Sequence, residues 1–233
     1  MDLGDHFVHA GIINHYADRC KELHVPVKPH NYSTIKILFQ EHPNIIVVAI
    51  NGDDEDYVRS NGLGRISNWW PMFFSEVDGR RASILWEEQC YSHFELPYRL
   101  RYDNFRLPAD IPSSDQLFDR LYKGNPYVLV HRTTGQHPHG LPIHLDINGD
   151  TVNLDIIEVT PEHTSNMLDY VKLIKNATEI HCVNSSFFCL VDSIHKITTS
   201  QLCFHNIRGD SLIRVNNEYN QNRWKIIHYG TKF

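Results

Sequence analysis

This sequence lacks the cysteine spacings that build disulfide or zinc frameworks. The five cysteines among 233 residues are odd in number, and no C-x-x-C pair occurs. A secreted disulfide scaffold therefore does not fit, and a reducing, cytoplasmic location is expected. Long apolar runs and a signal-peptide pattern are also lacking, so we expect a soluble protein without a transmembrane segment.

An excess of positive charge is lacking as well. The chain has 22 lysines and arginines against 28 acidic residues, which leaves a net charge of −6 when histidine is neutral. Non-specific binding to nucleic acid needs a basic surface, so no nucleic-acid partner is expected. An acidic chain still binds a phosphorylated ligand locally, through helix N-termini and a few placed arginine or histidine side chains.

Three familiar motifs are absent. The sequence has no G-x4-G-K-[ST] P-loop, no G-x-G-x-x-G dinucleotide fingerprint and no G-x-S-x-G nucleophile elbow. A kinase, a dehydrogenase and a serine hydrolase are therefore disfavoured. His137, His139 and His144 with Asp146 follow an H-x-H-x4-H spacing that matches no established metal motif, so no metal is expected.

What the sequence does contain is an alternation of strand-like and helix-like segments, which predicts an α/β fold. In the first half, helical spacing marks residues from about 6 to 20 and Tyr32–Phe39. Continuous apolar runs mark buried strands at Leu23–Val27 and Asn44–Ile50. This half is predicted to form an open, doubly wound sheet.

The second half repeats the alternation and is also predicted to be doubly wound. Its predicted strands are Tyr127–His131, Asn153–Val159, Glu179–Val183 and Gln201–His205, followed by an apolar closing segment at Trp224–Tyr229. Helices are predicted at Asn166–Asn176 and Phe187–His195. The proline-containing stretch that ends near Pro112 is the predicted linker, so the expected domains are residues 1–110 and 111–233.

Polar residues follow several predicted strands of the second half, where open α/β sheets bind ligands. The run Asn184, Ser185 and Ser186 ends a strand and begins a helix, so its free N–H groups suit a pyrophosphate. An ordinary helix cap is the competing interpretation. Other candidates for donor or phosphate contacts are His131, Arg132, Glu158, His205 and Arg208.

The N-terminal run Leu3-Gly4-Asp5-His6 is the second candidate site. Glycine permits a tight turn beneath a ligand, so Gly4 is a candidate phosphate contact. A carboxylate beside the start of a helix is a candidate general base. Asp5 and its neighbour His6 are therefore the candidate catalytic residues.

Taken in order, these segments resemble GT-B glycosyltransferases of the heptosyltransferase type, in a compact form such as bacterial and viral polysaccharide loci contain. The run L-G-D-H-F-V-H-A-G-I-I is similar to the family's N-terminal Gly-Asp loop. The stretch Ile174–Asp192 is similar to its late helix–strand–turn–helix, with Asn184, Ser185 and Ser186 in place of an Asp-Thr-Gly-type turn. The resemblance implies two Rossmann-like halves facing across a cleft, with the acceptor side first and the nucleotide-sugar side second.

The resemblance also implies the chemistry. Such an enzyme moves a sugar from a nucleotide-diphosphate donor to a glycan or other hydroxyl acceptor without a metal, and inverts the anomeric carbon with Asp5 as base. The helix at Ser185, with Arg132 or Arg208, would stabilise the departing diphosphate. Two alternatives stay open: a non-catalytic nucleotide or sugar-phosphate-binding protein on the same fold, and an interaction protein that uses the aromatic cluster of residues 69–74.

Overall fold

The computed structural model describes most of the chain, namely residues 2–52, 54–61, 76–77, 80–81, 86–134, 137, 139–143, 154–207 and 215–229. His144, Asp146, Arg208 and the aromatic cluster of residues 69–74 lie outside these ranges. The chain divides into two compact units, Met1–Arg106 with Asp210–Arg214, and Leu107–Gly209 with Val215–Phe233. No helix in the described ranges combines the length and the apolar character that crossing a bilayer requires.

The first unit contains five α-helices, a short 3-10 helix at Pro29–Asn31 and two pairs of strands in its described residues. In chain order the α-helices and strands are α1 (Leu3–Ala17), β1 (Leu23–Val27), α2 (Tyr32–Leu38), β2 (Ile45–Ala49), α3 (Asp54–Ser60), β3 (Glu76–Val77), β4 (Arg80–Arg81), α4 (Trp86–His93) and α5 (Leu100–Asp103). Strands β1 and β2 pair in parallel, with α2 in the crossover that a parallel pair requires. The predicted strand–helix–strand is therefore present, whereas the described residues of this unit contain no larger parallel sheet of the doubly wound kind.

Helix α1 begins earlier than its apolar spacing predicts, because polar groups cap it. Asp2 is the N-cap, and it forms a capping box with Asp5 in the first turn. Gly4 therefore lies inside a helix, and it is not among the described glycines with a positive φ angle, which are Gly124 and Gly140. The tight turn predicted at Gly4 is wrong, because the capping box makes this segment the first helical turn.

The second unit is built on one five-stranded parallel sheet. Its elements are α6 (Pro112–Leu121), β5 (Tyr127–His131), β6 (Asp155–Glu158), α7 (Val171–Asn176), β7 (Glu179–Val183), α8 (Ser186–Ser193), β8 (Gln201–Asn206) and β9 (Trp224–His228). The strand order is β6-β5-β7-β8-β9, and every neighbouring pair is parallel. The prediction of an α/β fold with a parallel sheet is confirmed, and the closing apolar segment proves to be the edge strand β9.

The two faces of this sheet are covered differently. On the helix face, Phe188 of α8 packs against Phe204 and Trp224, and the Tyr127 hydroxyl donates to the Leu173 carbonyl of α7. On the opposite face, a cluster of apolar side chains comes from strands and loops of the described residues; it consists of Val128, Val130, Leu141, Ile143, Val183 and Ile207. Every residue of β5 is buried between these two layers, which explains its continuous apolar sequence.

Candidate functional site

The strand order reverses at the boundary between β5 and β7. The chain leaves β5 towards β6 on one side, then returns through α7 to β7 on the other side of β5. In open parallel sheets, ligands bind outside the carboxyl ends of the strands at such a reversal. Here β5 ends at His131 and β7 ends at Val183, and His131 lies in register with Cys182. The segments that follow these two strands therefore form the candidate site.

A hydrogen-bond chain joins the ends of these two strands. Nδ1 of His131 lies 3.1 Å from Oγ of Ser185, and Nε2 of His131 lies 3.2 Å from Oγ1 of Thr133. Ser185 Oγ donates to the Val183 carbonyl at 3.0 Å and accepts the Phe188 N–H at 3.3 Å. The single hydroxyl proton of Ser185 is donated to the Val183 carbonyl, so Ser185 must accept from His131. Nδ1–H of His131 therefore donates to Ser185, and Nε2 of His131 accepts from the Thr133 hydroxyl. The structure thus brings the predicted residues His131 and Ser185 together.

The imidazole of His131 is neutral at neutral pH. Burial lowers the pKa of His131 to about 4, and its ring stacks on Phe187 with the centroids 5.2 Å apart. A neutral ring offers hydrogen bonds rather than positive charge. His131 therefore positions the loop after β5 through hydrogen bonds. The positive charge at this edge comes from the next residue, Arg132.

Arg132 is held in place from two sides. Its Nη2 lies 2.6 Å from Oε1 of Glu158 at the end of β6, and both side chains are partly exposed. Gly140, with φ at +88°, lies over the arginine stem, where an added Cβ would come within 3.0 Å of Cγ and Cδ. The Leu141 N–H donates to the Arg132 carbonyl, which closes the loop. The guanidinium Nε has no hydrogen-bond partner among the described residues.

The N-terminus of α8 completes the carboxyl edge. Ser185 is its N-cap, and Ser186, half-buried, occupies the first helical position. The positive end of the helix and the free N–H groups of its first turn favour an anion here. Asn184, also half-buried, precedes the cap. The structure confirms that Ser185 caps the helix, and a pyrophosphate role for this turn stays a prediction.

His205 does not join this group. Its side chain is 1% exposed, with Nε2 at 2.8 Å from Nδ1 of His181 and Nδ1 at 2.6 Å from the Tyr229 hydroxyl. Register places His205 beside Val183, and its ring points to the face opposite the helices. Both ring nitrogens are engaged there, so the expectation that His205 contacts a donor is corrected by its burial.

In the first unit, Asp5 and His6 are both engaged by the backbone. The Asp5 carboxylate accepts the Asp2 N–H at 2.8 Å, and burial raises the pKa of Asp5 against the effect of that bond. The ring nitrogens of His6, which is fully buried, lie 2.9 Å from the Asp2 carbonyl and 3.3 Å from the Pro26 carbonyl. A raised pKa suits a general base, whereas the burial of His6 suits a structural role.

Two features of the second unit escaped the sequence analysis. The first is the hydrogen bond between the Thr133 hydroxyl and His131. The only sequence signal for a role of Thr133 is its position next to Arg132. Three side chains with metal-ligating atoms form a cluster on the face opposite the helices: His181 and Cys203, which are buried, and Glu179, which is partly exposed. The signal for the cluster is alternation, because residues two apart on a strand share a face.

Comparison with protein-family models, with curated proteins and with solved structures finds no match to this chain. The function of the protein is therefore inferred from its site. The residues that count most are those at the carboxyl edge between β5 and β7.

Proposed function

We propose that the second unit binds a nucleotide-diphosphate sugar at the carboxyl edge between β5 and β7, and that the protein is a glycosyltransferase of GT-B type. The observation that carries the proposal is the meeting of three elements at one sheet edge. The end of β5 supplies Arg132, the end of β6 supplies Glu158, and the start of α8 supplies Ser185 and Ser186. A strand-order reversal is the general location of ligands in such sheets.

The charges at this edge suit a diphosphate. The arginine fork has five N–H donors, of which the Glu158 pair uses only part. The remaining donors of Arg132 and the first amides of α8 can bind phosphate oxygens. The carboxylate of Glu158 orients the guanidinium and also offers an acceptor for a ribose hydroxyl.

The proposed reaction needs no metal. Asp5 removes the proton from the acceptor hydroxyl, and the acceptor oxygen forms a bond to the anomeric carbon as the bond to the diphosphate breaks. The attack inverts the anomeric carbon. The helix end at Ser185 and the guanidinium of Arg132 stabilise the charge that builds on the departing diphosphate. The raised pKa of the Asp5 carboxyl supports the base role.

Donor binding is tested by thermal unfolding in the presence of UDP-, GDP-, ADP- and dTDP-sugars. A ligand at 100 times its Kd adds about 2.7 kcal/mol to the free energy of unfolding, which raises the Tm by several degrees. We expect one nucleotide class to raise the Tm, and Arg132→Ala and Ser186→Glu to abolish the rise. Arg120→Ala is the matched control, because Arg120 donates to the His163 carbonyl instead. A folded protein whose Tm responds to none of these ligands would contradict the proposal.

A second candidate function is nucleotide or sugar-phosphate binding without catalysis. The observation that favours it is that Asp5 belongs to the capping box of α1 and Ser185 is the N-cap of α8, so both residues stabilise helices. Such a protein would show the Tm rise but neither transfer nor hydrolysis of the bound donor. Product analysis with the donor that raises the Tm separates the two functions.

A further inference from the structure

A row of polar side chains lies on the sheet face opposite the helices. Glu179 and His181 alternate along β7, and Cys203 and His205 alternate along β8, so all four share this face. Parallel register places His181 directly beside Cys203. The Tyr229 hydroxyl, after β9, ends the row. Three chemically different metal ligands are thus neighbours on two adjacent strands.

The ligand atoms of the first three residues converge. One atom each from Glu179, His181 and Cys203 lies within 4.8 Å of the others, and His181 Nε2 is 3.1 Å from Glu179 Oε2. His181 and Cys203 are 2% and 1% exposed, whereas the Glu179 side chain is 14% exposed. Protein therefore surrounds His181 and Cys203, and the cluster is accessible to solvent at Glu179.

We propose that Glu179, His181 and Cys203 form a zinc site. Zinc takes thiolate, imidazole and carboxylate ligands together, and a thiolate with a carboxylate balances its charge. Bonds of about 2.0–2.3 Å in a tetrahedron place the ligand atoms roughly 3.5 Å apart. The 3.1 Å between His181 Nε2 and Glu179 Oε2 already matches this spacing. Three protein ligands leave a fourth position for water.

The neighbours of His181 support the proposal. A histidine that binds a metal through one nitrogen usually donates its other N–H to a second group, which fixes the ring. Here the second nitrogen, Nδ1, lies 2.8 Å from His205 Nε2, and His205 Nδ1 lies 2.6 Å from the Tyr229 hydroxyl. With zinc on Nε2 of His181, the Nδ1–H donates to His205, and the Nδ1–H of His205 donates to Tyr229.

The hydrogen bonds that link His181, His205 and Tyr229 determine which proton is released when zinc binds. Without zinc, the bonds run the other way: Tyr229 donates to His205, His205 to His181, and His181 Nε2–H to Glu179. Both imidazoles are neutral in each arrangement, so the only proton released on binding is that of the Cys203 thiol.

The test uses Co²⁺ as a spectroscopic probe on the full chain, after treatment with a chelator and a thiol reductant. A cysteine thiolate bound to Co²⁺ gives a charge-transfer absorption band, which histidine-only sites lack. We expect one equivalent of Co²⁺ to produce the band and one equivalent of Zn²⁺ to remove it. Cys203→Ala should abolish the band. Cys182→Ala is the matched control, because Cys182 is a buried thiol of the adjacent strand on the helix face.

Two outcomes overturn the proposal: a folded wild-type chain that gives no band, and a Cys203→Ala variant that keeps it. If Cys203→Ala does not fold, Glu179→Gln takes its place, because Glu179 lies at the edge of the cluster. Glu179→Gln should weaken Co²⁺ binding tenfold or more, and unchanged binding would refute the site. None of these readouts depends on the proposed donor site or on glycosyl transfer.

Discussion

Nδ1 of His131 lies 3.1 Å from Oγ of Ser185, although 54 residues separate them in the chain. The serine is also the N-cap of α8, where it accepts the Phe188 N–H. One hydroxyl therefore both starts a helix and joins the ends of β5 and β7. The candidate donor site depends on this junction, because Arg132 follows His131 directly.

Ser185→Ala should lower the free energy of unfolding by about 1–2 kcal/mol, because it removes the cap of α8 and the partner of His131. Ser185→Asp should recover much of the loss, since aspartate also caps helices and accepts the imidazole N–H. Urea denaturation measures both changes. Ser186→Ala, one residue further on, is the control and should change stability by less than about 0.5 kcal/mol. Equal losses for the two alanine variants would show that Ser185 has no special role.

Acidification should destabilise both units through two buried histidines. Burial is the main cause that lowers the pKa of both His9 and His131 from the ordinary value of 6.5 to about 4. The unfolded chain therefore takes up protons first as the pH falls. The stability that these neutral rings provide is complete above pH 6.5 and is lost progressively down to about pH 4. Each contributes on the order of 3 kcal/mol.

Denaturant unfolding between pH 7 and pH 4.5 tests this dependence. His9→Asn and His131→Asn retain a hydrogen-bond donor near the Nδ1 position but do not titrate. Each variant should reduce the loss of stability on acidification in the unit that contains it. A pH profile identical to that of the wild type would exclude that histidine as the source.

Gly11→Ala should destabilise the first unit. A Cβ at this position would lie 2.2 Å from the Leu100 carbonyl oxygen and 2.7 Å from the Tyr91 hydroxyl, so α1 and α5 must move apart. The overlap should cost about 1–3 kcal/mol or more, which exceeds the gain in helix propensity of at most about 1 kcal/mol. Thermal unfolding measures the change. Gly52→Ala, where no atom lies within 4 Å of the added Cβ, should be close to neutral.

Glu87→Ala should cost more than any surface change in the first unit. Glu87 Oε2 lies 2.5 Å from Arg101 Nη1 and accepts the Tyr98 hydroxyl at 3.0 Å, and the ion pair is fully buried. Removing the carboxylate takes a counter-charge away from a fully buried guanidinium, at a cost of about 3–5 kcal/mol. The double variant Glu87→Leu with Arg101→Met should recover part of that cost. Denaturation of Glu88→Ala, the neighbouring change in α4, provides the baseline.

Asp5→Asn tests catalysis separately from binding. Asparagine keeps an acceptor for the Asp2 N–H, so α1 should fold normally. If Asp5 is the base, kcat should fall by about 10²–10⁴ while the Tm rise with the donor is unchanged. In the wild type, kcat/KM should increase with pH through the raised pKa of Asp5, and the variant should lose this acidic limb. Full activity in Asp5→Asn would exclude it as the base.

The sequence by itself determined the secondary structure around the site. The strands Leu23–Val27, Tyr127–His131 and Glu179–Val183 have the bounds that their apolar runs predict. The helix after Ser185 is also where its cap predicts. These signals are local, because a β-branched run or a capping serine specifies its own backbone. The start of α1 was missed, since Asp2 and Asp5 form a capping box before the apolar spacing begins.

Only the tertiary structure decided which of these residues meet. Strand order brought His131 to Ser185 and Arg132 to Glu158, and no local pattern encodes a pairing across 54 or 26 residues. Register turned His205 to the face opposite the helices, beside His181, and thereby removed it from the predicted donor contacts. A strand's sequence indicates that its side chains alternate between two faces. Which neighbours they find there depends on the whole sheet.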